Sequence, residues 1–211
     1  MYYWIGEELE FPAHEFASKE GVLALGGDLS VERLILAYSN GIFPWFNEDD
    51  PIVWYSPLER MVLYPDEFKV SKSMRQVLRK EDFQITMNKD FEGVISNCKS
   101  ISRKDQDGTW ITDDMKTAYL NLHQMGLAKS IEIWKNEELV AGLYGVDLGN
   151  GVFCGESMFS KVSNMSKVAF IYLVQECDYT LIDCQVHNDH LESLGAKEIP
   201  REEFLKYLKG A

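Results

Sequence analysis

Asp183 and Gln185 stand two residues apart in LIDCQV, residues 181 to 186, a run that is otherwise almost wholly apolar. In an extended strand alternate side chains share a face, so the carboxylate and the carboxamide sit beside Leu181 while Ile182, Cys184 and Val186 turn the other way. Taking such groups out of water costs free energy unless each finds a partner. Placed side by side, they can accept hydrogen bonds from an amine or ammonium and aim it. A third acid, Glu156, lies in CGESMF, where parity groups it with Cys154 and Met158 opposite Phe153 and Ser157, unless Gly155 introduces a bulge. The blander readings are a carboxylate at Asp183 that caps the turn into NDH or satisfies buried backbone groups, and a Glu156 that ends a strand in water.

Other chemistries are weaker. His187, Asp189 and His190 resemble metal-ligand spacing, but in a strand-to-helix turn such residues cap and pack, so no metal is expected. Cys184 and His187 point to opposite strand faces, which argues against a nucleophilic pair. Cys98, Cys154, Cys177 and Cys184 form no CxxC motif and are expected as reduced core thiols.

The elements that must position these residues are legible in part. In DLSVERLILAYSNG, Ser30 caps a helix with Val31, Leu34, Ile35 and Tyr38 on one stripe, ended by Gly41. IFPWFNEDDPIVWYSP carries three prolines and five aromatics, too broken for a regular element and too apolar for a solvated loop, so it must pack onto something. SKSMRQVLRK is helical, with Lys72, Arg75 and Arg79 on one side and Lys69 and Lys80 nearby. TWITDDMKTAYLNLHQMG predicts a helix capped by Thr112, striped by Met115, Ala118, Tyr119 and Leu122, and stopped by Gly126. AKSIEIW, ELVAGLYGV and GVFCGESMF read as an antiparallel meander with turns at KNE and GNG. A helix over about 165–177, apolar nearly all round, should be buried. The strand TLIDCQV, a short helix in DHLESLG and a final amphipathic helix in PREEFLKYLKG close the chain.

A sequence of 211 residues with 45% hydrophobic and 12% aromatic content can build a packed core, which sets disorder aside. No window approaches the ~18 apolar residues of a membrane span. MYYWIGEELEF lacks a basic start and an unbroken apolar stretch, so a cytoplasmic protein without a membrane partner is expected. The net charge of −13 repels polyphosphates at long range. Contact with nucleic acid therefore needs a local basic surface, and Lys72, Arg75 and Arg79 supply the clearest one, although a charged helix face is more often simply solvated.

GLYGVDLGNGVFCGESMFSKVSNMSK, LIDCQVHNDHLESLGAKEIP, GIFPWF and GTWIT together resemble the bacterial leucyl/phenylalanyl-tRNA protein transferases over about Gly21 to Leu208. The resemblance implies an α+β protein with a small N-terminal domain, expected over 1–61, and a GNAT-like acyltransferase domain over 62–211 with a mainly antiparallel central sheet. It also implies an enzyme that moves leucine or phenylalanine, and less well methionine, from aminoacyl-tRNA to a protein N-terminus beginning with arginine or lysine, which marks that protein for proteolysis. The donor is an activated ester, so neither an enzyme nucleophile nor a cofactor is needed. Neutralising an α-ammonium of pKa ~7.7 to 8 costs about 1 kcal/mol at neutral pH, whereas placing two reactants correctly is worth roughly 7 to 11 kcal/mol.

On that reading Gln185 contacts the attacking amine, Asp183 orients or polarises Gln185 and helps accept the proton, and Glu156 belongs to the same active site. Trp45, Trp110, Leu143, Phe153, Leu173 and Ile182 are the candidates for the apolar donor hole, with Ile182 reaching it from the far side of the sheet. Lys72, Arg75 and Arg79 would meet the acceptor stem, and a monomer is expected. Two alternatives remain. An acyl-CoA-dependent N-acyltransferase would want a glycine-rich loop opening its helix, where this chain has SKVSNMSK. A non-enzymatic RNA- or peptide-binding adaptor leaves Asp183, Gln185 and Glu156 unexplained.

Overall fold

The computed structural model describes residues 2–80, 82–101 and 110–209. In chain order the elements are β1 (Tyr3–Ile5), β2 (Val22–Gly26), α1 (Val31–Ser39), β3 (Phe43–Pro44), β4 (Val53–Tyr55), β5 (Glu59–Leu63), α2 (Lys72–Leu78), β6 (Gln84–Met87) and α3 (Phe91–Ser100). They continue with α4 (Asp113–Gln124), β7 (Ala128–Lys135), β8 (Glu138–Asp147), β9 (Val152–Ser160), α5 (Met165–Glu176), β10 (Leu181–Gln185), α6 (Asp189–Glu192), β11 (Lys197–Pro200) and α7 (Arg201–Leu208).

The caps expected at Ser30 and Thr112 are in place, and Ser71 adds one that was not expected. The side chains of Ser30, Ser71 and Thr112 accept the N–H groups of Arg33, Met74 and Met115, satisfying donors that a helix start leaves open. Gly41 and Gly126 take positive φ just beyond α1 and α4. The β7–β8 turn uses Asn136 and Glu137, both left-handed, the geometry of a two-residue hairpin. The proline-rich stretch after α1 folds into the β3–β4 hairpin, with Phe43, Phe46 and Trp54 buried. Gly108 and Thr109 of GTWIT lie outside the described residues.

Four strands form a small sheet in the order β1-β2-β4-β3, and seven form the main sheet in the order β11-β5-β10-β9-β8-β7-β6. The main sheet is antiparallel throughout except where β10 runs parallel to β9, across the α5 connection. This mixed, mainly antiparallel sheet behind a smaller N-terminal unit is the α+β arrangement expected. Strand β5 and the edge strand β11 carry no clear alternation in sequence, yet they complete one side of the sheet. The division anticipated after residue 61 falls inside β5.

Helices α3 and α4 cover one face of the main sheet and α5 the other. On the first face Tyr38, Phe43 and Trp54 of the smaller unit pack in the same core as Val62, Tyr119 and Leu181, so the two sheets share their apolar interior. On the second, Leu63, Ile131, Phe153 and Ile182 meet Val168 and Leu173 of α5.

Two irregularities shape the centre. Tyr144 pairs with Ser157 and Gly145 with Gly155, so Glu156 is an extra residue in β9. It stays on the face of Cys154, but Met158 beyond it moves to the opposite face, against simple parity. In β10, Asp183 pairs with Val62 and Gln185 with Met61, leaving Cys184 as the extra residue. A Cβ on Gly145 would lie 2.6 Å from the Phe153 ring and closer still to the Cys154 carbonyl. Gly145→Ala is therefore expected to destabilise the fold by about 1 to 3 kcal/mol, read as a lower urea midpoint.

Candidate active site

Three β9–β10 pairs form, Leu181 with Val152, Ile182 with Phe153 and Asp183 with Cys154, and the ladder then stops. Beyond it both strands bulge and part. A cavity of about 490 Å³ opens there, reaching both faces of the sheet. That opening explains how Ile182, which parity turns away from Asp183, lines the same space as Gln185 and Glu156.

Its apolar wall holds Trp45, Trp110, Leu143, Phe153, Leu173 and Ile182, all six residues expected there, together with Met158 and Phe170, which were not. Met158 joins because the bulge at Glu156 shifts it to that face. Trp45 is 37% exposed and leans on Tyr55 with ring centroids 5.6 Å apart, standing at the rim. Lys72, Arg75 and Arg79 lie apart from the cavity, all exposed, on or just after α2, and none joins an ion pair among the described residues. Helix α2 nevertheless packs on α5, whose Phe170 and Leu173 line the cavity.

The polar wall is a connected network. Glu156 receives hydrogen bonds from the hydroxyls of Tyr38 at 2.7 Å and Tyr119 at 2.8 Å and from Nε2 of Gln185 at 2.8 Å. Neither tyrosine was expected in the site. Both sit on helical stripes that read as ordinary core, and only the fold brings α1 and α4 onto the bulge of β9. Burial, and next the Glu156 charge, push both phenols well above 10, so they remain donors.

Glu156 touches solvent through the cavity but is closely surrounded by protein. Lost hydration pushes its carboxyl up to about 7, against the lowering effect of the two tyrosines. An acid near 7 can both take and return a proton at neutral pH.

Asp183 behaves differently. It is fully buried, and its two oxygens face Nε and Nη2 of Arg60 at 2.7 and 2.6 Å. Its Oδ1 also accepts the backbone N–H of Gln185 at 2.8 Å. Asp183 thus meets Gln185 through the main chain, and its carboxylate is fully shielded from solvent. Gln185 adopts φ +65°, a left-handed conformation that costs a non-glycine residue about 1 kcal/mol or more. The hydrogen bond to Asp183 helps hold it there.

Arg60 was also not expected. A charged residue inside the apolar strand ERMVL was the available signal, of the same kind as Asp183 in LIDCQV. Cys184 lines the cavity, but burial and then Asp183 push its thiol far up, so it is no nucleophile at neutral pH. His187, Asp189 and Glu192 cluster within reach of a common ion, but all three are exposed, and His190 is not in the group.

Residues 62–209 match the family described as leucyl/phenylalanyl-tRNA protein transferase, and residues 27–58 match the N-terminal domain of the same family. The chain belongs to the leucyl/phenylalanyl-tRNA protein transferase family. The enzymes so named from Flavobacterium johnsoniae and Flavobacterium psychrophilum are 59% and 57% identical to it, each comparison covering 98% of this chain and 99% of the relative. A GCN5-related N-acetyltransferase from Kribbella flavida superposes with a TM-score of 0.42 at 10% identity, covering 76% of this chain and 57% of its own, a likeness too loose to argue from. No helix among the described residues is long and apolar enough to cross a membrane.

Because the folded state holds the Glu156 proton more tightly than an unfolded chain with its usual value of 4.5, stability falls as pH rises from about 4.5 to about 7. Glu156→Gln removes that dependence, which can amount to about 3 kcal/mol across the interval. Urea denaturation at intervals from pH 5 to 8 should show the variant gaining on the wild type as pH rises; parallel curves would contradict the raised value.

Proposed function

We propose that the chain transfers leucine or phenylalanine, and less well methionine, from the 3′ end of aminoacyl-tRNA to the free α-amino group of proteins that begin with arginine or lysine. These proteins are thereby marked for proteolysis, and the enzyme works as a cytoplasmic monomer. The observation that carries the reading is the Glu156 carboxyl, held by two tyrosine hydroxyls and the Gln185 amide at the junction of an apolar cavity and a polar rim.

The donor side chain enters the apolar wall formed by Leu143, Phe153, Leu173 and Ile182, with Trp45 and Trp110 at the edges. A hole of this kind separates side chains by only about 1 to 3 kcal/mol per methylene, which suits a short list of apolar donors rather than one. The acceptor's ammonium meets Glu156 and Gln185. Proton transfer from an amine of pKa ~8 to an acid of about 7 is uphill by little more than 1 kcal/mol. The neutral nitrogen then attacks the ester carbonyl, the new C–N bond forms, and the bond to the ribose oxygen breaks. The leaving oxygen takes a proton, which Glu156 can return, and the second proton shed by the attacking nitrogen passes to solvent, so one proton is released per transfer. Asp183 acts behind Gln185 and holds the strand end in place.

The exposed basic face of Lys72, Arg75 and Arg79 supports an acceptor-stem contact, since phosphate contacts orient a nucleic acid without reading its sequence. Two measurements test the proposal. Labelled leucyl- or phenylalanyl-tRNA should be consumed with peptides beginning with arginine or lysine and not with alanine; equal use of all three would overturn the acceptor assignment. Replacing Lys72, Arg75 and Arg79 with glutamine should flatten the dependence of log affinity on log salt by up to about 0.9 per lost phosphate contact. An unchanged slope removes α2 from the interface.

A further inference from the structure

The polar end of β10 is held from behind by a buried cation. Arg60 lies on β5, fully buried, with Nε and Nη2 donating to the two oxygens of Asp183 at 2.7 and 2.6 Å. Its Nη1 donates to the carbonyl of Gly41 at 3.1 Å, where α1 turns into β3. The guanidinium is stacked between the rings of Phe43 and Phe204, each 4.6 Å from its central carbon. One side chain therefore ties together the catalytic strand, the segment that carries Phe43 and Trp45 into the cavity wall, and the last helix.

We propose that Arg60 is the positioning residue of this site. Its fork fixes the Asp183 carboxylate, which fixes the left-handed Gln185 amide, which aims the Gln185 side chain at Glu156. This role rests on the transfer reading above, but its structural half does not depend on activity. Two features argue against a merely cohesive ion pair. The oxygen of Asp183 that takes Nε of Arg60 is the same one that takes the Gln185 N–H, so a shift of the carboxylate reaches Gln185 directly. Gln185 also stands beside the extra residue of a bulge in a conformation its own side chain does not favour, and needs an external constraint to stay there. A lysine at position 60 keeps the charge but cannot reproduce the two parallel hydrogen bonds or the stacking.

The test uses the full chain with Arg60→Lys and, as a gentler change remote from the cavity, Phe204→Leu, which removes one ring face from the guanidinium and leaves the ion pair chemically intact. Amide hydrogen exchange at Gln185 and Val186 should accelerate at least 10-fold in Arg60→Lys, and to a smaller extent in Phe204→Leu, with α3 amides unchanged. In the transfer assay kcat should fall at least 30-fold for Arg60→Lys with KM for aminoacyl-tRNA within about 3-fold. The double variant Arg60→Lys/Gln185→Ala should be no slower than Gln185→Ala alone, because both act through one group. Unchanged exchange at Gln185 in a folded variant overturns the proposal whatever the activity. So does a kcat loss that adds fully to that of Gln185→Ala. A wild-type chain inactive with leucyl- and phenylalanyl-tRNA sinks the transfer reading instead, and leaves the exchange result to decide Arg60. If Arg60→Lys does not fold, exchange and kcat in Phe204→Leu decide the matter, and wild-type values for both overturn it.

Discussion

The parallel ladder between β9 and β10 ends after three pairs, and the rest of the site depends on that ending. Two adjacent strands in the middle of a sheet normally satisfy each other's backbone groups along their length. Here each carries a bulge at the point of parting, Glu156 in β9 and Cys184 in β10, and the gap between them becomes a cavity in the middle of the main sheet. Side chains from both faces of the sheet can then line one space. That is how an apolar hole from the α5 side and a polar rim from the α1 and α4 side come together.

A gap in a core invites water and exposes polar groups to poor partners, so it must be held open by interactions strong enough to resist collapse. The buried polar groups here are joined rather than scattered. Two tyrosines and an amide hold Glu156, while a guanidinium and a backbone N–H hold Asp183. Removing one partner of such a buried pair leaves a charge without compensation, which is far costlier than losing a surface ion pair. The two carboxylates diverge in consequence. Asp183 is locked in an ion pair and cannot be reached, whereas Glu156 keeps an opening to the cavity and a proton affinity near neutrality.

Much of this was legible in the chain. The polar step in LIDCQV, the acid in CGESMF and the aromatic, proline-rich segment after α1 all lie on the cavity wall. Caps at Ser30 and Thr112 mark helix starts because the donors they satisfy lie three residues away. Parity failed at Met158, since one inserted residue reverses every side chain beyond it, and a bulge is weakly signalled by a single glycine. Strands β5 and β11 were hidden because neither shows clean alternation. Tyr38 and Tyr119 were visible only as members of apolar stripes.

The sequence by itself determined the helices other than α3, the meander, the apolar character of the cavity wall and the presence of two uncomfortable carboxylates, because these follow from periodicity, capping and the cost of burying charge within a few residues. Only the tertiary structure decided which carboxylate is locked and which is available. The partners that make the difference are distant in the chain: Arg60 is 123 residues from Asp183, and Tyr38 is 118 from Glu156. Local patterning carries no information about contacts of that span. The first is set by the pairing of β5 with β10 inside the main sheet and the second by the packing of α1 and α4 on the bulge of β9, so the tertiary fold leaves one acid locked and the other open to the cavity.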